Sequence, residues 1–145
     1  AKAHGCTHVI NYNKENFVER VKELTGGKGV PVVYDSIGND TFIGSLDCLS
    51  PLGMLVSFGS ASGPVPPFSL NELASRGSLY VTRPTLFSYA ASRSDLDSMA
   101  AELFAMVESG KVKIDINQRY ALKDVQQAHR DLEARKTTGC TILTL

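Results

Sequence analysis

The sequence lacks tryptophan, long apolar runs and any excess of charge of one sign. Its 145 residues carry 15 Lys+Arg against 15 Asp+Glu, so net charge offers no basis for binding nucleic acid or an anionic membrane surface. The apolar runs Val30–Tyr34 and Met54–Phe58 are far shorter than the roughly 20 residues of a membrane span. No basic stretch followed by an apolar one opens the chain. We therefore expect neither a membrane nor a nucleic-acid partner.

Cysteine is also scarce, with three residues at positions 6, 48 and 140. Their odd number and wide spacing give no disulfide framework, and no CxxC pair offers a zinc site. The histidines are not spaced as metal ligands either. Scattered thiols suit a reducing compartment, so we expect a cytoplasmic protein with no bound metal.

Several catalytic and phosphate-binding motifs are absent. There is no GxGxxG and no GxSxG. The run Gly26–Gly29 superficially resembles a phosphate loop, but it follows a predicted helix, and Lys28 is followed by glycine where a P-loop needs Ser or Thr. We interpret this run as a helix end and a turn, and we assign no catalytic residue.

What the sequence does contain is a regular alternation of strand and helix patterns. Helices are predicted between the strands, with Asn13, Asp40 and Ser94 as N-caps, the last paired with Asp97 in a capping box. Near-continuous apolar strands alternating with helices predict a doubly wound α/β fold with a parallel sheet. Strands are predicted at His8–Asn11, Val30–Asp35, Met54–Phe58, Ser78–Thr82, Lys113–Ile116 and Cys140–Thr144.

Small and polar residues follow the predicted strands. Ligands of parallel α/β sheets bind beyond the carboxyl ends of the strands, where glycine permits close approach and hydroxyl groups donate to phosphate or ribose oxygens. Turn chemistry alone places the same residue types at strand ends, so composition leaves both readings open. The residues concerned are Asn11–Asn13, Asp35–Gly38, Phe58–Ser60, Ser62 and Thr82–Pro84.

Five segments together resemble one known family. They are HVINY ending at Tyr12, VVYDSIG ending at Gly38, LVSFGSASG from Leu55, SLYVTRPTL from Ser78 and ALKDVQQAHRDLEARKTTG from Ala121. In this order they resemble the quinone oxidoreductase branch of the medium-chain dehydrogenase/reductase superfamily, which includes the zeta-crystallin-like NADPH:quinone reductases. The resemblance runs from end to end of the chain.

The resemblance implies a partial Rossmann sheet that lacks its first strands, plus a C-terminal return segment. Residues 1–111 would be the later part of an NADPH-binding Rossmann domain, and residues 112–145 a segment that returns to a GroES-like catalytic domain. We therefore expect the chain to be part of a longer protein. Because the glycine turn that holds the pyrophosphate is missing, we expect the isolated chain to be inactive.

The resemblance also implies cofactor contacts at seven positions. Tyr12 would lie against the adenosine ribose and its 2′-phosphate, and Ser36 and Gly38 would lie near the adenine. Arg135 would point back to the cofactor, although without the resemblance it would be interpreted as a surface charge at a helix end. The backbone near the nicotinamide would come from Phe58, Gly59 and Ser60.

The implied reaction is hydride transfer, without zinc, from NADPH to a quinone or a similar conjugated carbonyl. Two alternatives stay open: a non-catalytic nucleotide-binding, dimerisation or crystallin-like structural module, and an enoyl reductase or alcohol dehydrogenase of the same superfamily. The resemblance further implies a homodimer that pairs through the edge strand near Ser78 to Val81, since unpaired strand edges are ready templates for pairing.

Overall fold

The computed structural model describes all 145 residues and divides into two units, Ala1–Ser88 and Tyr89–Leu145. A short 3-10 helix, Lys2–His4, ends at Gly5 in the left-handed conformation. The domain boundary expected at residue 111 concerns a longer protein and stays a prediction. No helix is both long enough and apolar enough to cross a membrane.

The first unit is built on a three-stranded parallel sheet in the order β1-β2-β3. The registers place Val33 beside Leu55 and Leu55 beside Val81, so branched side chains line up across the sheet. The elements are α1 (Phe17–Leu24), β1 (Val30–Asp35), α2 (Phe42–Asp47), β2 (Leu49–Ser57), α3 (Asn71–Ser75) and β3 (Tyr80–Thr82), followed by the short α4 (Leu86–Tyr89), which was not predicted.

The core of this unit lies between α2 and the sheet. Leu46 of α2 and Leu55 at the centre of β2 are the most deeply buried side chains, with exposed fractions of 1% and 0%. Phe42, Leu49 and Leu79 complete the buried cluster. A sheet fixed at β2 in this way carries the loops that follow β1 and β2 on a rigid base.

The second unit contains a two-stranded parallel sheet and two helices. Arg119 of one strand pairs with Ile142 of the other, and Ala128 is the buried residue of the last helix. The elements are α5 (Arg93–Glu108), β4 (Ile116–Ala121), a 3-10 turn (Leu122–Asp124), α6 (Val125–Glu133) and β5 (Cys140–Thr144).

The parallel α/β class predicted from the sequence is confirmed, but its strands form two small sheets. The predicted strand His8–Asn11 is wrong. A strand needs a neighbour for its hydrogen bonds, and no strand of the structure pairs with this segment. Asn11 instead begins a turn, in which its carbonyl accepts from the Lys14 N–H at 2.8 Å.

The three predicted N-caps are each displaced. Asn16, not Asn13, caps α1 and accepts from the N–H groups of Val18 and Glu19. Because the turn at Asn11 occupies residues 11–15, the first free helical N–H groups come later. Thr41, not Asp40, occupies the N-cap position of α2.

The N-cap of α5 lies two residues earlier than predicted. Ser92 replaces Ser94, accepts from the Asp95 N–H at 3.1 Å and donates to the Asp95 carboxylate at 2.6 Å. Both serines have an acidic residue three positions later, so sequence spacing alone does not separate them.

Three strands also differ in extent from their predictions. β3 begins at Tyr80 rather than at Ser78, whose φ of 59° lies in the left-handed region. β2 begins at Leu49, before Pro51 and Gly53, and its register with β1 shifts between Val30 and Val32, where Pro31 has no N–H to donate. β4 lies at Ile116–Ala121 rather than Lys113–Ile116, because its polar residues gain a partner in β5. The last helix begins at Val125, directly after the 3-10 turn Leu122–Asp124.

Candidate functional site

Two loops are joined by hydrogen bonds at the carboxyl ends of β1 and β2. We call residues 36–40 the first loop and residues 58–63 the second loop. The N–H groups of Ala61 and Ser62 donate to the carbonyls of Ser36 and Ile37, at 3.2 and 2.8 Å, and the Asn39 N–H donates to the Gly63 carbonyl at 3.2 Å. These bonds fix the two loops as one rigid edge of the site.

The Ser62 side chain adds a further bridge between the loops. Its hydroxyl donates to the Ile37 carbonyl at 2.9 Å and accepts from the Asp40 N–H at 3.0 Å. Sequence analysis identifies Ser62 only as a polar residue after a strand. Its bridging role depends on partners 22 and 25 positions away.

Glycine is required where the loops meet. A Cβ on Gly59 would lie against the carbonyl of Ser36, and one on Gly38 would lie 2.7 Å from the carbonyl oxygen of Gly63. Real Cβ atoms do not approach backbone that closely. The close approach that these glycines permit is therefore between the two loops themselves.

A buried carboxylate, Asp35, holds the first loop through hydrogen bonds from the loop backbone. Its exposed fraction is 5%, and it ends β1. It accepts from the N–H groups of Ile37 and Gly38 at 2.8 and 3.1 Å and from the hydroxyls of Thr41 and Ser45, each at 2.8 Å to its Oδ2. One side chain thereby joins β1, the first loop and α2.

The ionisation of Asp35 is set by opposing effects. Burial favours the neutral acid, whereas the hydrogen bonds from Ser45, the Gly38 N–H, Thr41 and the Ile37 N–H favour the carboxylate. The hydrogen bonds together outweigh burial, and the pKa of Asp35 lies below its ordinary value. Asp35 is consequently ionised at neutral pH and acts as an acceptor.

The first cavity lies beside β1 and has a volume of about 310 Å³. Tyr12, half exposed, and Ser36 both line it. Neither hydroxyl has a hydrogen-bond partner within the chain. The remaining wall is largely apolar and includes Ile10, Phe17 and Val33. The cavity thus combines an apolar surface with two hydroxyl groups that are available to a ligand.

The second cavity lies at the carboxyl ends of β2 and β3 and has a volume of about 610 Å³. Ser57, Ser60 and Arg83 supply its polar groups, and the Arg83 Nη1 donates to the Ser57 carbonyl at 2.8 Å. Its other lining residues are apolar: Phe42, Val65, Val81, Phe68 and three prolines, Pro64, Pro66 and Pro67.

The structure brings six of the seven predicted site residues into the first unit. Tyr12 and Ser36 share the first cavity, Ser60 lines the second, and Gly38 and Gly59 lie where the loops meet. The Phe58 ring is half exposed and packs edge-on against Tyr34, with ring centroids 6.5 Å apart.

Arg135 belongs to the second unit, in the turn that ends α6. Its φ of 57° is in the left-handed region, and its N–H donates to the Leu132 carbonyl at 3.0 Å. A non-glycine residue in this conformation is strained by about 1 kcal/mol. The exposed Arg135 guanidinium has no partner within the chain.

Sequence reasoning missed the role of Asp35 and of its partners Thr41 and Ser45. An available signal was the acidic residue at the end of a buried strand, followed by hydroxyl residues six and ten positions later. No group of three His, Cys, Asp or Glu side chains is placed to hold a metal ion. Cys48 is buried, whereas Cys6 and Cys140 are exposed.

Comparison with known proteins gives consistent matches. The sequence model of the zinc-binding dehydrogenase family matches residues 4–143. A quinone oxidoreductase of Pseudomonas aeruginosa is 55% identical over 143 residues, which are 99% of this chain and 44% of the relative. A 2-haloacrylate reductase of a Burkholderia species is 44% identical over 99% of this chain and 43% of its own length.

Among solved structures, the quinone oxidoreductase of Escherichia coli complexed with NADPH superposes with a TM-score of 0.91 at 50% identity. The match covers 97% of this chain and 44% of that one. The chain therefore spans less than half the length of the relatives to which it is similar.

Proposed function

This chain belongs to the zinc-binding dehydrogenase family, and we propose that it forms part of a zinc-independent oxidoreductase. The reaction is hydride transfer from NADPH to a quinone or a similar conjugated carbonyl. The relatives named above support this activity, because one is a quinone oxidoreductase, one reduces a haloacrylate and one was solved with NADPH.

One observation above all supports the proposal: two cavities border one parallel sheet, the first along β1 as far as its carboxyl end and the second at the carboxyl ends of β2 and β3, with the hydrogen-bonded loops beside them. This edge is where nucleotides bind in open α/β sheets. The first cavity offers Tyr12 and Ser36 to the adenosine end of a dinucleotide. The second loop, whose Ser60 borders the second cavity, is available to the nicotinamide end.

The residues present fit NADPH. The free hydroxyls of Tyr12 and Ser36 suit the adenosine end. Gly38 allows the first loop to lie close against the second loop. The second loop, through Gly59 and Ser60 with Phe58 beside them, suits the nicotinamide end. The unpaired guanidinium of Arg135 suits a phosphate through its forked donors. When bound, NADPH supplies the hydride, and these residues bind and orient it.

The residues of this chain do not fit a bound zinc ion. Structural and catalytic zinc sites need three or four Cys, His or carboxylate ligands. The chain brings no three such side chains together. We therefore assign no zinc ligand and no zinc-dependent step to the residues of this chain.

Two further parts of the proposal concern assembly and location. β3 pairs with β2 along one edge only, and Tyr80 beside its other edge is 57% exposed. We propose that this edge pairs with a second copy of the protein. All three cysteines are free thiols, which supports a cytoplasmic location, where thiols stay reduced.

A fluorescence titration of the purified protein that carries this chain, with NADPH and in parallel with NADH, tests the cofactor assignment. Saturable binding with NADPH favoured is expected. We propose that the phosphate bound by Arg135 is the 2′-phosphate, so loss of this charged contact in Arg135→Gln is expected to weaken NADPH binding about tenfold. NADH, which has no 2′-phosphate, is bound as before.

Arg130→Gln is the matched control, since Arg130 is an exposed arginine of α6, five residues before Arg135. It is expected to leave both affinities unchanged. Equal weakening of NADPH and NADH by Arg135→Gln would refute the assignment of Arg135, and failure to bind either nucleotide would refute the proposed function.

A further inference from the structure

We propose that the second cavity receives the electron acceptor and that Arg83 binds the oxygen on which negative charge develops. The acceptor class is a flat conjugated carbonyl compound, such as a quinone or an unsaturated acid. This inference rests on the proposed function, because it assigns the acceptor side of the same reaction. It makes Arg83 a specificity-determining residue.

Arg83 is held in place yet keeps most of its donors. It follows β3 directly, and its Nη1 donates to the carbonyl of Ser57, the last residue of β2. A guanidinium has five N–H donors, so this bond anchors the group and leaves others for a ligand. Anchoring lowers the entropic cost of binding, because the cation does not have to be ordered by the acceptor.

Arg83 also has no carboxylate partner. The contrast is Arg76, whose guanidinium pairs with both Asp47 and Glu72. No ion pair of the structure includes Arg83, and its only side-chain hydrogen bond is the one to Ser57. A cation beside an apolar cavity with no neighbouring acid attracts an anionic or strongly polarised oxygen.

The rest of the second cavity suits a flat apolar body. The rings of Phe42 and Phe68 lie with centroids 4.9 Å apart, and Val65 and Val81 add branched side chains. Pockets for small ligands are mostly apolar, with a few polar groups that fix orientation. A conjugated carbonyl has this same division, with a hydrophobic ring or alkene and one or two polar oxygens.

The chemistry gives the Arg83 charge a defined role. The hydride, with its two electrons, forms a new bond at one end of the conjugated system. The displaced π electrons settle on the carbonyl oxygen at the other end, which becomes an oxyanion and then takes a proton from water. The oxidised nucleotide, NADP⁺, leaves as the other product. Arg83 does not supply the proton, since guanidinium stays protonated in proteins; it stabilises the charge on oxygen as it develops.

The test compares Arg83→Gln, Arg83→Lys and the exposed control Arg20→Gln in the purified protein that carries this chain. Two measurements are made on each: kinetics of 1,4-naphthoquinone reduction at varied NADPH, and calorimetric titration with 2-hydroxy-1,4-naphthoquinone without nucleotide. The second compound carries an ionised oxygen at neutral pH, so its binding reports on Arg83 without any turnover.

We expect Arg83→Gln to lower kcat/KM for naphthoquinone about tenfold or more, as loss of a donor at a developing oxyanion does. Its KM for NADPH stays within about twofold of the parent, and its Kd for the hydroxynaphthoquinone rises about tenfold. Arg83→Lys, which keeps the charge, restores part of both effects. Arg20→Gln behaves as the parent.

Three results would overturn the inference. They are a rise in the KM for NADPH with acceptor kinetics unchanged, a parent protein that does not bind the hydroxynaphthoquinone, and an Arg83→Gln variant equal to the parent toward both compounds. Conversely, Arg83-dependent binding of the hydroxynaphthoquinone by a protein that oxidises no NADPH would support the acceptor cavity and refute the proposed function. The two failures are therefore distinguishable.

Discussion

Replacing Asp35 by asparagine removes the charge on which the first loop is built while keeping the shape of the side chain. The change retains the oxygen that accepts from Ile37 and Gly38. It puts an amide nitrogen where Oδ2 accepts from Thr41 and Ser45. Two backbone N–H groups and two hydroxyls thus lose a charged acceptor in a site that is 5% exposed.

The cost follows from those four donors. A hydrogen bond to a charged group stabilises by about 1.5–3 kcal/mol and a neutral one by about 0.5–1.5, so neutralisation costs about 1 kcal/mol for each donor. The hydroxyls of Thr41 and Ser45 can rotate to accept from the new amide, which recovers part of the loss. We expect Asp35→Asn to lower the free energy of unfolding by about 2–3 kcal/mol at pH 7.

The pH dependence provides a second, sharper signature. The pKa of Asp35 is lower in the folded chain than its ordinary value of 3.8. Its contribution is therefore fully present above the pKa of the unfolded chain and is lost as the pH falls through the folded pKa. The stability gap between parent and Asp35→Asn is expected to be constant from about pH 7 to 5 and to narrow below about pH 4.

Urea denaturation at a series of pH values measures both effects, with Asp40→Asn as the matched control. Asp40 is exposed and bonds through its side chain to Asn39, so its replacement is expected to cost less than about 0.5 kcal/mol. An Asp35→Asn gap below about 1 kcal/mol, or one that stays constant down to pH 3, would refute the role given to this carboxylate.

Two further predictions address the meeting point of the loops and the proposed dimer edge. Gly59→Ala places a Cβ against the backbone of Ser36 and is expected to lower the unfolding free energy by about 1–3 kcal/mol and to weaken NADPH binding; unchanged denaturation and titration curves would contradict the close approach. Tyr80→Lys places a charge beside the free edge of β3 and is expected to convert a dimer to a monomer in light scattering. The control Tyr89→Lys changes an equally exposed tyrosine of α4 and leaves the dimer intact, and a dimeric Tyr80→Lys would refute pairing through β3.

The sequence predicts two of the strands to the residue because their signal is local. Val30–Asp35 and Cys140–Thr144 are found where their apolar, β-branched runs place them. The strand at His8–Asn11 carries the same signal but has no partner in the structure, since a strand depends on a neighbour that its own residues do not specify. The prediction for β4 is wrong in the opposite way. Its middle residues Asn117–Arg119 are polar and give no strand signal, and pairing with β5 forms the strand.

The predictions of the N-cap residues are wrong for a related reason. Asn13 and Asn16, like Ser94 and Ser92, are chemically equivalent candidates a few residues apart. The choice between them depends on where the preceding turn closes, as at Asn11, and this is a matter of backbone geometry rather than of residue type. Boundaries of helices are therefore predictable only to within a few residues.

Asp35 also links stability to function in this site. It fixes the first loop, and the first loop fixes the second through Ser36 and Ile37. Because the two loops lie beside different cavities, one carboxylate sets the relative position of the groups proposed to hold the two ends of the nucleotide. A perturbation at Asp35 should therefore weaken NADPH binding although Asp35 itself is buried beneath the loop and serves as an acceptor within the fold. Arg135 is the converse case: its guanidinium has no hydrogen-bond or ion-pair partner in the chain and its backbone is strained, as we expect of a residue that binds a ligand.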